Sequence, residues 1–249
     1  MVGMTAVERF DRAMHDSPTE LTPPALLPAR LARACAVALG VDGAALSLHV
    51  GALQTPIGSS DATTAHAERL QFTLGDGPCL RAHDDGATIA FDPDDLERNW
   101  PALWAAISTD TPYRAVLSVP LPPPLGPLVV LDLYVREPSA LTRLDPGPVR
   151  EVARCTTEEL ALTVTGPDFP DDGSGWLDGP DARRRAQVWQ AMGLVGVEYD
   201  LDGPDAIAVM QAAALASGRV VDDVAEDIVG GRLAPGDLWE DRVAGDEAG

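Results

Sequence analysis

The chain has 249 residues, 45% hydrophobic and 23% charged, the proportions of a globular protein with room for about two domains. Its 18 basic residues, all Arg, stand against 39 acidic ones, and a formal charge of −21 disfavours a phosphate backbone as partner unless the guanidinium groups are gathered on one face. No apolar run approaches the ~18 residues that span a bilayer. The stretch Met1 to Ala13, with Glu8, Arg9, Asp11 and Arg12, has no apolar segment of a secretory leader. Cys35, Cys79 and Cys155 are widely spaced and match no zinc pattern. The expectation is a reduced, cytoplasmic protein without metal or cofactor.

Residues 1–22 are polar and read as a loosely attached leader with a short helix near Ala6 to Met14. From 23 to 165, helical and strand signals alternate. Leu27, Leu31, Ala34, Cys35 and Ala38 form one helical stripe, which places Cys35 in a core. Ala44, Leu46, Leu48 and Val50 alternate as a half-buried strand, with Ser47 and His49 on its other face. A second strand is expected within 51–57, a helix over 62–70, and a turn at Gly75-Asp76-Gly77-Pro78. A short strand over 87–91 precedes a helix over 96–107 that carries Trp100 and Trp104 one turn apart. The apolar runs 115–121 and 128–135 read as central strands covered on both faces. Val149, Val152, Thr156, Leu160 and Val164 make a closing helix. The fold class is therefore α+β, with helices against a mostly antiparallel sheet.

Residues 166–181, rich in Pro, Gly and Asp, read as a linker. Three helices follow over 182–234, punctuated by Asp181, Asp202-Gly203-Pro204, Ser217-Gly218 and Gly230-Gly231. So small a core invites support from a partner subunit. Residues 235–249 read as an acidic tail.

The stretch Glu68-Arg69-Leu70-Gln71-Phe72-Thr73-Leu74-Gly75-Asp76-Gly77-Pro78-Cys79 resembles a segment of actinobacterial GAF domains, as do Trp100-Pro101, the strand from Arg114 to Leu121 and Val129-Val130-Leu131-Asp132-Leu133-Tyr134. The region from Arg184 to Leu233 resembles an ANTAR domain through Gln190-Ala191-Met192-Gly193, the run Ala206 to Ala214, and Ala216-Ser217-Gly218-Arg219 with Asp223-Val224-Ala225. Together they cover most of the chain in the order of GAF–ANTAR regulators. The resemblance implies a GAF-like antiparallel sheet with flanking helices, then a small three-helix ANTAR-like module. It implies a homodimeric, non-enzymatic regulator in which the first module senses a small molecule or dimerises. The second would bind paired RNA hairpins in a nascent transcript and prevent termination, with no DNA or membrane partner. Met192 stands where the family often has Lys or Thr, and Gln211 where Arg is common.

RNA contact needs guanidinium or ammonium groups for phosphate and stacking, and polar groups for unpaired bases. The candidates are Arg183, Arg184, Arg185, Gln190, Gly193 and Arg219, in a module whose five Arg face eight acids. The competing reading is a solvated helix start, its arginines paired with Asp178 and Asp181. Gly193 and Gly196 each cost a helix about 1 kcal/mol relative to Ala, so close approach of a second helix or a nucleic-acid backbone is expected there. On the strands, Ser118, Asp132 and Tyr134 are ligand-pocket candidates, because a buried carboxylate requires a hydrogen-bonding partner or a ligand. Cys79, one helical turn before His83, allows a thiol–imidazole contact and a redox reading, but no second thiol lies near it in sequence. His49, His66 and His83 make no metal spacing, and no phosphate-cradling Gly loop or catalytic Ser constellation is present. Three readings stand: an RNA-binding antitermination regulator, a sensor whose helical module serves protein–protein assembly, and an enzyme acting through Cys79.

Overall fold

A computed structural model describes residues 3–50, 53–126, 128–165 and 175–242. The chain divides into two compact units, Met1–Glu68 with Asp76–Ala182, and Arg69–Gly75 with Arg183–Gly249. Among the described residues no helix is long and apolar enough to cross a membrane.

The first unit opens with α1 (Ala6–His15), started by a reciprocal cap in which Glu8 N donates to Thr5 Oγ1 at 3.1 Å and Thr5 N donates to Glu8 Oε2 at 2.7 Å. Phe10, 1% exposed, and Ala6 sink into the core. The Arg9 side chain donates to the Ala38 carbonyl of α2 (Leu27–Leu39) at 2.8 Å. Residues 6–15 are thus an integral helix of the unit and not a loose leader. Two apolar residues one turn apart in a polar stretch are too short a stripe to announce this.

The sheet contains β1 (Gly43–Val50), β2 (Leu53–Ser59), β3 (Ile89–Phe91), β4 (Ala115–Pro120) and β5 (Val129–Val135), in the order β2-β1-β5-β4-β3. Every pairing is antiparallel, so the α+β class with an antiparallel sheet holds. Central β5 is buried along its whole length. On one face, Leu131 and Leu133 join Leu46 of β1, Leu31 and Cys35 of α2, and Val152 of α8 (Pro146–Thr165) in the main core. On the opposite face lie Val130, Asp132 and Tyr134, as strand alternation requires. There α4 (Pro78–Asp85) packs Cys79 and Ala82 on Val130. Before it comes α3 (Ala62–Leu74), whose residues up to Glu68 belong to this unit.

The helix expected over 96–107 is two helices, α5 (Pro93–Asn99) and α6 (Pro101–Asp110), separated by Trp100 at φ −139, ψ 67. Pro101 causes the break, since its ring disfavours helical backbone at the preceding residue. A further short helix, α7 (Pro138–Arg143), follows β5.

The second unit contains α9, which begins at Pro180 and runs to Tyr199, α10 (Gly203–Ala216) and α11 (Val221–Val229). Val188, Ala191 and Val195 meet Ala206, Met210 and Ala214 of α10 and Val221, Val224, Ala225 and Ile228 of α11. Asp202 Oδ1 caps α10 by accepting from Asp205 N at 3.0 Å. Two boundaries differ from expectation. Residues 69–75, assigned by pattern to the first module, pack here: Phe72 sits edge-on to Trp189 with ring centroids 5.6 Å apart, and Val221 N donates to Thr73 Oγ1 at 2.9 Å. The expected tail is ordered over Pro235–Arg242, where Leu238 is buried and the Tyr199 hydroxyl donates to the Gly236 carbonyl at 2.9 Å. Residues 243–249 of that tail lie outside the described residues, as do 166–174 of the expected linker. The remainder of the linker forms a 3-10 turn, Trp176–Asp178, and the start of α9.

Phe10→Ala tests the placement of α1. Urea unfolding should show a loss of about 3 kcal/mol or more, as for other buried Phe truncations; a loosely attached leader would lose less than about 0.5 kcal/mol.

Candidate functional site

Six polar side chains meet on the α3/α4 face of the sheet, each no more than 2% exposed: Ser47 of β1, Glu68 of α3, Cys79 of α4, Ser118 of β4, and Asp132 and Tyr134 of β5. The register fixes much of this, because Ser118 lies directly across from Asp132. Tyr134 donates its hydroxyl hydrogen to Glu68 Oε1 at 2.6 Å, and Ser47 donates to Glu68 Oε2 at 3.1 Å. The Ser118 hydroxyl donates to Asp132 Oδ1. Glu68, Cys79 and Asp132 each bring a ligand atom within 4.8 Å of the other two. Cys79 Sγ lies 3.5 Å from His49 Nε2, and the His49 ring stacks on His83 with centroids 4.3 Å apart.

The structure therefore brings Ser118, Asp132 and Tyr134 together, and adds Ser47, Glu68, Cys79 and His49. The imidazole recorded beside the thiol is that of His49, while His83 supports that ring from behind. Glu68 was missed because, one turn after the buried Thr64, it sits on a polar side of α3 that no apolar stripe marks. The clustered residues do not line either of two open clefts in this unit, one of about 500 Å³ bounded by Arg81, Ile89, Phe91, Asn99 and Trp100 among others, the other of about 670 Å³ with His83 and Pro120 in its wall.

Burial, and then the Asp132 carboxyl beside it, push Glu68 up to about 8. Burial, then Asp132 and Glu68, hold the Cys79 thiol well above its ordinary value, and burial with Glu68 and Asp132 does the same to Tyr134. Burial and the neighbouring His83 lower His49 to about 4. At neutral pH the centre thus holds a carboxylic acid, a thiol, a phenol and a neutral imidazole. A thiol so protonated is a poor nucleophile, which counts against redox or covalent chemistry at Cys79.

The arginine candidates diverge. Arg185 is completely buried, its guanidinium carbon 3.2 Å from the centroid of the Phe72 ring and its Nε 3.4 Å from Asp222 Oδ1, itself buried. Arg184 pairs with Asp223 at 2.9 Å and Glu226 at 3.8 Å. Arg219 pairs with Asp227 at 2.6 Å, and Arg232 joins Glu226 at 3.2 Å. Arg183, Arg184 and Arg185 lie on successive faces of the helix, as its turn of about 100° per residue requires: the first is exposed, the second half-buried and the third buried. Arg184 and Arg185 both reach acids of α11. Arg183, Gln190 and Gly193 remain exposed along α9. A Cβ at Gly193 would meet nothing within 4 Å, whereas one at Gly196 would lie 3.1 Å from the Leu201 carbonyl, so packing accounts for Gly196 alone. Gln211 donates through Nε2 to the Phe72 carbonyl at 2.8 Å.

No family model matches the chain, and no curated protein does.

Two measurements test these assignments. Glu68 keeps its proton in the folded chain after the unfolded chain has released it, so folding stability should fall as pH rises from about 4.5 towards about 8. In metal-free protein, the slope between pH 6.5 and 8 should flatten in Glu68→Gln; an unchanged slope would assign the titration elsewhere. Arg185→Ala leaves Asp222 buried without its guanidinium, and urea unfolding should register a loss of about 3 kcal/mol or more. A near-neutral result would return Arg185 to a surface role.

Proposed function

We propose that the chain is a signal-responsive, non-enzymatic regulator of the GAF–ANTAR kind, working in the cytoplasm as a homodimer. The first unit is its GAF-like sensor and the second its ANTAR-like output module, which acts by protein contact. The motif stretches carry the family reading, and the antiparallel sheet with flanking helices is compatible with it. The cleft of about 500 Å³, with Phe91 and Trp100 packed edge-on at 4.9 Å and Arg81 and Asn99 in its lining, suits a small polar molecule with a planar part.

The observation that carries the protein-contact output is the engagement of Arg184, Arg185, Arg219 and Arg232 by carboxylates within the module. A guanidinium spent on an internal ion pair must break it before gripping a phosphate. Meanwhile α9 exposes Leu194 and Val197, the latter 85% exposed, on the side that carries Ala186, Gln190 and Gly193. Positions spaced three and four apart make a seam a second helix can meet. A second reading, RNA hairpin binding that prevents termination, is favoured by Arg183, Gln190 and Gly193 standing exposed along that same helix.

The two outputs separate in one pair of measurements on the full chain. Light scattering across concentration should show a dimer whose dissociation constant rises at least tenfold in Val197→Asp. Retention of a two-hairpin RNA should be absent, or indifferent to salt. RNA retention that falls steeply with salt and disappears in Arg183→Ala would overturn the protein-contact output in favour of RNA.

A further inference from the structure

Metal donors of different kinds converge at one enclosed point of the first unit. Cys79 offers a sulfur, and Glu68 and Asp132 one carboxylate oxygen each, all within 4.8 Å of one another and all buried. They come from α4, α3 and β5, so three separately packed elements hold them. On the sulfur side, His49 Nε2 stands 3.5 Å from Sγ, its ring fixed by the stack on His83. Around the carboxylates, Tyr134 and Ser47 orient Glu68, and Ser118 orients Asp132, the kind of outer hydrogen bonding that aligns metal ligands.

The same juxtaposition sets the electrostatics of the cluster. The acidic groups here work against one another: Asp132 opposes ionisation of Glu68, and both carboxyls oppose ionisation of Cys79 and Tyr134. Such crowding is costly in a structural core. A dication among the donors relieves all of it at once.

We propose that Glu68, Cys79 and Asp132 form a binding site for a first-row transition-metal dication, with zinc the best match. Zinc takes sulfur, nitrogen and oxygen ligands in a tetrahedron, whereas calcium and magnesium require six or more hard oxygen donors and are poorly served by a thiolate. On binding, the Glu68 carboxyl and the Cys79 thiol each release a proton to solvent, and the metal occupies the lone pairs they leave. Affinity therefore rises with pH. The site does not rest on the regulator reading and stands or falls without it.

The test uses the full chain, stripped with a chelator and titrated with Co²⁺ as a spectroscopic probe and Zn²⁺ as competitor. One Co²⁺ per chain is expected, with a thiolate-to-cobalt charge-transfer band and the strong visible bands of tetrahedral cobalt, displaced by one equivalent of Zn²⁺. Cys79→Ser should abolish the charge-transfer band and Asp132→Asn should weaken Zn²⁺ binding at least tenfold. Cys35→Ser and Cys155→Ser should leave both readouts unchanged. Far-ultraviolet circular dichroism identifies any variant that fails to fold; in that case X-ray absorption of the wild-type zinc form decides, with one sulfur expected at about 2.3 Å. Absence of uptake, uptake without a thiolate band, or a band that survives Cys79→Ser would each overturn the proposal.

Discussion

Two carboxyl groups held side by side in a dry interior, Glu68 on a helix and Asp132 on the central strand, are the constraint around which the first unit is arranged. Ionising both there is prohibitive, so the pair survives only with a proton or a cation between its members. The neighbouring residue types follow from that. Ser47, Ser118 and Tyr134 are hydroxyl donors, which satisfy carboxyl oxygens without adding a fixed positive charge. Leu131 and Leu133, one residue either side of Asp132, face the opposite core, so a strand buried along its length carries an apolar face and a polar one.

The second unit solves the converse problem, a buried guanidinium. Arg185 places its planar group over the Phe72 ring and against Asp222, so charge, ring quadrupole and burial are matched in one place. Asp223 and Glu226, on the same helix as Asp222, then engage Arg184. Acids that depress the module's net charge are thus partners that fasten α9 to α11. The same arrangement reduces what is left for an anionic partner.

Much of the fold was legible in the sequence. The period-two pattern from Ala44 to Val50, the continuous runs at 115–121 and 128–135, and the stripe from Leu27 to Ala38 each gave an element of the correct type. What escaped has local causes. α4 lies behind Gly77-Pro78, which reads as a turn until the helix begins at the proline itself. The break at Trp100 was signalled by Pro101 but outweighed by the pair of tryptophans. For the candidate site, a polar residue on an apolar strand marked Ser118, Asp132 and Tyr134, which meet in a buried polar cluster and do not line the cleft. It could not find Glu68, which reaches Ser47, Cys79 and Asp132 only through the packing of α3 on the sheet. Composition showed that arginines were outnumbered, but not that one of three consecutive arginines would be wholly buried.

The most direct test of the central pair is a carboxyl-carbon NMR titration of metal-free protein with ¹³C-labelled Glu side chains, assigned through Glu68→Gln. The Glu68 resonance should titrate near pH 8, far above the exposed glutamates, and should shift to its ionised position at pH 7 when one equivalent of Zn²⁺ is added. Titration within the ordinary carboxylate range, with no response to zinc, would contradict the account.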